Sequence, residues 1–206
     1  MRPRLLDGFC KAGGAGYGYD KAGFDVTGFD IEDQPNYPFA FFKADAMEVL
    51  ADRDFLATFD AIHVSPICQG HASVTDWRGS RSDYPDLLTP SLALLEAQPV
   101  PWVAENVPEA PIRPDYLLCG TQFGLRVKRH RAFQRGNWST YDLLPRCDCY
   151  RNPELIPFEH KDERAFADAM GCTWMTNLEG RQAVPPAFAE YIGAQMLASI
   201  TQAGAA

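Results

Sequence analysis

Asp7-Gly8-Phe9-Cys10-Lys11-Ala12-Gly13-Gly14-Ala15-Gly16 follows directly on a short apolar run that begins near residue 3. It leads into a stretch of helical character and then into a second apolar run that ends at Asp30. A glycine-rich turn between strand and helix lets backbone amides and a helix N-terminus approach an anionic group, and an acidic residue closing the next strand can accept two ribose hydroxyls. The stretch therefore reads as a nucleoside-cofactor site. On its own it reads equally well as a tight strand-helix crossover. The spacing of Gly13, Gly14 and Gly16 departs from Gly-x-Gly-x-x-Gly, which disfavours NAD and an oxidoreductase.

Outward from this loop, residues 3–9, 25–31 and 59–65 are short apolar or β-branched runs, each followed by a turn and a potentially helical stretch. A further strand is expected at 100–104, preceded by a helix over 84–97 that carries Leu87, Leu88, Leu92, Leu94 and Leu95. This alternation predicts an α/β fold, with a mostly parallel sheet flanked by helices. A last helix is expected from Pro186 to about Ile200, with proline suited to its first turn. The segment 132–161 loses the regularity and is read as irregular structure or a small insertion. The chemistry-bearing residues fall at strand ends. Cys68 follows the run 59–65 and Glu105-Asn106-Val107 closes the next strand, at the sheet edge where open α/β folds bind ligands.

The composition is compatible with one compact domain. The 206 residues are 46% hydrophobic and 22% charged, in the ordinary globular range. No apolar run reaches the roughly 20 residues of a membrane span and no signal-peptide core develops, so a cytoplasmic protein with no membrane partner is expected. In that compartment the six cysteines are expected to be reduced thiols. The net charge of −8 is unusual for a protein that binds phosphates, but Lys128-Arg129-His130-Arg131 and the run from Arg78 to Arg81 form compact basic patches that would permit salt-sensitive binding of nucleic acid.

With these residues in view, the chain resembles the DNA cytosine-5 methyltransferase family, over nearly its whole length apart from 132–172. Phe9-Cys10 with Gly13-Gly14 is similar to the family's cofactor loop, Ala22-Gly23-Phe24 to the end of its following helix, and Pro66-Ile67-Cys68-Gln69 to its Pro-Pro-Cys-Gln nucleophile loop. Glu105-Asn106-Val107 is similar to its Glu-Asn-Val motif, Arg129-His130-Arg131 to its Arg-x-Arg pair, and Ala183-Val184-Pro185-Pro186 to its C-terminal Ala-Val-Pro-Pro. Each match is common by chance, whereas their occurrence together in the family's order is not. The resemblance implies a Rossmann-like class I S-adenosylmethionine-dependent methyltransferase fold, with a catalytic domain formed by 1–131 and 173–206. The segment 132–172 would be a small insertion standing in place of a target-recognition domain.

The resemblance also implies chemistry. Cys68 would add to carbon 6 of cytosine, Glu105 would protonate or hydrogen-bond ring N3, and Arg131 with Arg129 would hold the base oxygen and a flanking phosphate. Phe9 would stack near the donor, Asp30 would bind its ribose, Ile31 would pack on its adenine, and Asp45 would accept the adenine amino group, although a helix N-cap accounts for Asp45 equally well. Lys11, Gly13, Gly14, Pro66 and Gln182 complete the expected cofactor site. DNA is the expected partner, with the target base flipped out and Gln69, Trp77, Arg78, Arg81 and Lys128 contacting the strand. The stretch 69–83 is read as a loop that closes over DNA or, alternatively, as a solvated surface loop.

Departures from the family are informative. Gly8 replaces a leucine, Lys11 a glycine, Val127 a glutamine and Gln182 an asparagine. Lys11 suggests a second donor, carboxy-S-adenosylmethionine, whose extra carboxylate the ammonium would pair, giving 5-carboxymethylcytosine. A catalytically inactive nucleic-acid-binding homologue is the alternative from another class. The interval between Arg131 and Ala183 is too short for a large recognition domain, so specificity should be loose or supplied by a partner protein. The small size suggests a phage or mobile-element origin, which would place the protein in a host cytoplasm. Cys119, Cys147, Cys149 and Cys172 with His160 could build a zinc set, but Cys-x-Cys lacks the paired Cys-x-x-Cys spacing of zinc modules, so no metal is expected. Cys10 and Cys119 are read as small core residues, and His63 and His71 as strand-end and loop residues.

Overall fold

In the computed structural model the described residues are 1–68, 70–71, 80, 84–139, 144–151, 154–156 and 163–204. Among the described residues, seven strands form one sheet: β1 (Arg4–Gly8), β2 (Asp25–Asp30), β3 (Ala40–Lys43), β4 (Ala61–Val64), β5 (Trp102–Asn106), β6 (Tyr116–Cys119) and β7 (His130–Gly136). Their order is β3-β2-β1-β4-β5-β7-β6. The first five are parallel, and β7 runs antiparallel between β5 and β6. Helices α1 (Gly14–Ala22), α2 (Ala46–Ala51), α3 (Arg53–Leu56), α4 (Leu88–Glu96), α5 (Glu163–Ala169), α6 (Asn177–Gln182) and α7 (Pro186–Ala203) flank it. This is the expected α/β arrangement, a mostly parallel Rossmann-like sheet flanked by helices. Among the described residues, no helix is long and apolar enough to cross a membrane.

Strands β4 and β5 are buried along their whole length because both faces of the sheet are covered. Side-chain alternation divides them between two layers. Leu6, Ile62, Val64 and Ala104 pack with Val49, Leu50, Leu56, Leu88 and Leu95 on one side. Leu5, Ala61 and Val103 pack with Tyr19, Phe188, Ile192 and Met196 from α1 and α7 on the other. A smaller cluster of Val127, Phe166, Met170, Cys172 and Met175 holds α5 beside the sheet.

The structure corrects three expectations. The boundary between 131 and 132 falls inside β7, so the catalytic sheet continues to Gly136 and the irregular segment starts later. Ala132 and Phe133 feed the two opposite core layers, which is why a strand with polar ends is held in the sheet interior. The helix expected over 84–97 begins only at Leu88, since Asp86 Oδ1 accepts from the backbone N–H of Leu88 and Thr89 at 3.0 and 3.1 Å and thereby fixes its start. Strands β3 and β6 lay outside the expected set.

Candidate active site

The sheet order reverses between β1 and β4, and at such a switch point the loops leaving the carboxyl ends of adjacent strands diverge to leave a crevice. The loop after β1 carries Phe9 to Gly13, and the segment after β4 carries Ser65 to Cys68. Glu105 comes from β5, paired next to β4. A cavity of about 1220 Å³ opens here, lined by Phe9, Asp30, Pro66, Cys68, Glu105 and Arg131 among others. The register of β5 on β7 and of β7 on β6 brings the Arg129–Arg131 segment alongside Glu105.

The four residues expected to carry the chemistry meet in this cavity. Arg131 Nε lies 2.7 Å from Glu105 Oε1, and both side chains are nearly buried. The approach is off the line of the N–H bond, so among the described residues Glu105 Oε1 has no hydrogen-bond partner. Burial raises the Glu105 carboxyl above its usual value; Arg131, then Arg129, and a hydrogen bond from Ser65 oppose the shift. Burial also raises the Cys68 thiol, with Arg131 and Arg129 pulling it down and Glu105 pushing it up. Burial and the neighbouring Arg131 push Arg129 down to about 9, which leaves it charged at neutral pH. Arg129 Nη2 donates to Ala183 O at 2.8 Å, tying the Arg-x-Arg segment to Ala183-Val184-Pro185-Pro186.

Behind Glu105 runs a buried chain that the sequence reading passed over. Tyr19 Oη lies 3.0 Å from His63 Nδ1, and His63 Nε2 lies 2.9 Å from Ser65 Oγ. Burial lowers His63 to about 3, so its ring is neutral. For Ser65 to donate to Glu105, the His63 proton must sit on Nε2 and Tyr19 must donate to Nδ1. The chain thus fixes the Ser65 hydroxyl, and through it one side of the carboxyl. Asn106 Nδ2 donates to Pro66 O at 3.1 Å and locks the start of the Cys68 loop to β5.

The structure places the residues expected to hold a nucleoside along one side of the cavity. Asp30 is buried; its Oδ2 accepts from Lys11 N and its Oδ1 from Glu32 N, each at 3.2 Å, which leaves lone pairs on both oxygens. Ile31 is 57% exposed, an apolar side chain beside the cavity available to cover a planar ring. Gly13 has φ of 82°, and a Cβ on Gly14 would lie 2.4 Å from Val184 O, so α1 can start against the Val184 backbone only with glycine there. Gln182 lines the cavity from the end of α6. Asp45 caps α2, accepting from Met47 N at 2.7 Å, so the capping role is realised. Lys11 Nζ lies 3.3 Å from Glu32 Oε2 and 3.6 Å from Asp30 Oδ1, beside the carboxylate expected to meet ribose. Phe9 and Lys11 have positive φ of 57° and 45°, the conformation in which glycine is least strained.

Asp7 was not singled out from sequence, yet it is the most strongly perturbed carboxyl beside the loop. It is 1% exposed and accepts from Tyr37 Oη at 3.1 Å. Burial, with a further push from Asp30 and against the Tyr37 bond, raises it to about 8. It is therefore protonated at neutral pH. Because the folded state holds this proton above the unfolded pKa, its stabilising effect is complete below about pH 4, declines as pH rises, and is gone beyond pH 8. Asp7→Asn keeps an acceptor for Tyr37 and has no proton to lose. Its unfolding free energy relative to wild type is expected to climb between pH 4 and 8 by an amount on the order of 5 kcal/mol, read from urea midpoints. Parallel curves for the two proteins would refute a buried neutral carboxyl.

The expected nucleic-acid contacts fare differently. Gln69, Trp77, Arg78 and Arg81 lie outside the described residues. Lys128 is exposed, and its Nζ sits 4.1 Å from the centroid of the Tyr150 ring. The run 128–131 is not a basic surface patch, because Arg129 and Arg131 are only 8% and 9% exposed and turn into the cavity. The cysteines also regroup. Cys172 is buried beside Phe166 and Met170, and His160 lies outside the described residues, but Cys119, Cys147 and Cys149 converge on His130.

No family model matches the chain, and no curated protein matches it. Several solved structures are similar at low identity. A DNA modification methyltransferase encoded within an E. coli prophage is 20% identical with a TM-score of 0.48, over 64% of this chain and 45% of that one. The Dnmt2 methyltransferase of S. pombe is 19% identical with a TM-score of 0.48, over 68% and 52%. The Entamoeba histolytica methyltransferase EhMeth is 16% identical with a TM-score of 0.47, over 66% and 52%. The chain spans about half the length of these structures.

Proposed function

We propose that the chain is a compact member of the DNA cytosine-5 methyltransferase family, transferring a methyl group from S-adenosylmethionine to carbon 5 of cytosine through a covalent Cys68 adduct. The observation that supports this reading is the convergence of a thiol, a buried carboxyl and two buried guanidiniums on the same cavity as the glycine-rich loop and Asp30. An isolated thiol or a bare nucleotide pocket would not need the other groups.

The residues present fit the donor. Asp30 retains free lone pairs for ribose hydroxyls, Ile31 offers an apolar face for adenine, and the start of α1 leaves backbone amides near the cavity. The donor supplies an electrophilic methyl group. Cytosine carbon 5 is too poor a nucleophile until carbon 6 is attacked, and the Cys68 thiolate makes that bond. Glu105, whose proton-bearing form burial favours, delivers its proton to ring N3 and neutralises the charge that the adduct develops. Arg131 and Arg129 stabilise negative charge at the base oxygen and favour the thiolate. Loss of the carbon-5 proton then expels Cys68 and restores the ring. The base must leave a duplex to enter the cavity, at an unstacking cost of about a few kcal/mol.

Methyl transfer is preferred to carboxymethyl transfer because the Lys11 ammonium is engaged by Glu32 and Asp30 on the ribose side. The test is to incubate the protein with S-adenosylmethionine and a duplex containing 5-fluorocytosine, in which the carbon-5 substituent cannot leave. A denaturant-stable protein–DNA adduct is expected, and nucleosides from an unfluorinated duplex should contain 5-methylcytosine. No adduct and no modified cytosine would favour a catalytically silent binding module, and 5-carboxymethylcytosine with the carboxylated donor would restore the Lys11 reading.

A further inference from the structure

Four side chains able to ligate a metal, none used by the proposed reaction, meet where β6 ends and β7 begins, beside the cavity that His130 and Cys147 also line. Cys119 and His130 are paired across the two strands, which sets their side chains side by side. The segment 144–151 folds back to add Cys147 and Cys149. Cys147 Sγ and Cys149 Sγ are 3.8 Å apart, and they lie 3.7 and 3.6 Å from His130 Nε2. The ligand atoms of all four residues fall within 4.8 Å of one another.

These separations have the dimensions of a metal tetrahedron. With Zn–S of about 2.3 Å and Zn–N of about 2.0–2.1 Å, tetrahedral angles put the sulfurs about 3.8 Å apart and each sulfur about 3.6 Å from the nitrogen. We propose that Cys119, His130, Cys147 and Cys149 bind a zinc ion in a closed Cys3His site. With four protein ligands no position remains for water, so the ion is structural rather than catalytic.

The surroundings suit thiolates. Cys119 Sγ accepts from Thr121 Oγ1 at 3.5 Å and from the backbone N–H of Gln122, the outer hydrogen bonds that orient a sulfur ligand. Among the described residues, the loop that brings the other two cysteines is held by Gln122 Nε2 to Pro145 O at 2.7 Å and Asp148 N to Thr121 Oγ1 at 3.3 Å. The ion would anchor that loop to the sheet through Cys119 and His130. His130 stands between Arg129 and Arg131, so the same ion would fix the backbone from which both guanidiniums reach the cavity.

The inference is independent of the reaction proposed above, and its test reads metal alone. Full-length protein purified under reducing conditions without chelator should contain about one zinc per chain by plasma mass spectrometry, and replacement by Co²⁺ should give the thiolate charge-transfer and intense d–d absorption of a tetrahedral site. The double change Cys147→Ser and Cys149→Ser should lower zinc about tenfold or more, whereas Cys68→Ser should leave it unchanged. Because the double variant risks misfolding, the cobalt spectrum of the unaltered chain stands as a separate readout. Folded wild-type protein with no zinc and no cobalt–thiolate absorption would overturn the site. So would full zinc retention by the double variant, or a disulfide between any two of these cysteines in the reduced preparation.

Discussion

Cys68→Ser is expected to reduce methyl transfer to cytosine by a factor on the order of 10⁴ or more, while binding of the nucleic acid changes little. The loss follows from the role of sulfur. A hydroxyl in the same place has neither the ionised fraction nor the nucleophilicity to add to carbon 6, and the arginines that draw the thiol towards ionisation cannot bring an alcohol within range. The change is nearly isosteric, so the cavity and the Asn106 bond that locks the loop should persist. Single-turnover kinetics with a cytosine duplex, alongside a binding isotherm, separates the two effects. Retained turnover would remove the covalent mechanism while leaving the nucleoside site intact.

Glu105→Gln is expected to lower turnover by about 10²–10⁴-fold and to change the shape of its pH dependence. In the wild type the carboxyl must be protonated and the thiol ionised. Because the two requirements oppose each other, activity should pass through a maximum and fall at both acid and alkaline pH, and burial pushes both groups upward. Glutamine still offers an N–H to ring N3 but cannot deliver a proton, so the alkaline limb should vanish and the residual rate should rise to a plateau. The variant also replaces the buried carboxyl that Arg131 Nε approaches at 2.7 Å, and a thermal melt must accompany the kinetics. An unchanged bell would assign the alkaline limb to another group.

Much of the fold was legible because β1, β2, β4 and β5 are apolar runs covered by helices, and the turn after β1 carries its own glycine signature. What escaped has physical causes. Strand β3 is a short edge strand with half-buried residues, and β6 exposes Leu117. Strand β7 hides its strand character under His130, Arg131, Gln134 and Arg135, since a strand that feeds guanidiniums into a cavity cannot show a plain apolar alternation. For the same reason the run at 128–131 looked like a surface patch. That Cys68 and Glu105 share one cavity was legible because one follows β4 and the other lies at the carboxyl end of β5, beside the switch point. His63 and Ser65 were not, because their importance lies in a chain of hydrogen bonds across layers. Cys119 and His130 become neighbours only through antiparallel register, which no local spacing rule encodes.

The inward turn of Arg129 and Arg131 has a kinetic consequence. Their charge is largely hidden from long-range view, while the chain as a whole carries −8. A polyanion approaching from beyond about a Debye length therefore meets net repulsion, and dilute buffer should slow the first encounter where most phosphate-binding proteins are speeded by it. Under the proposed function, selectivity then rests on whichever base can reach the interior cations, so discrimination is postponed until after collision.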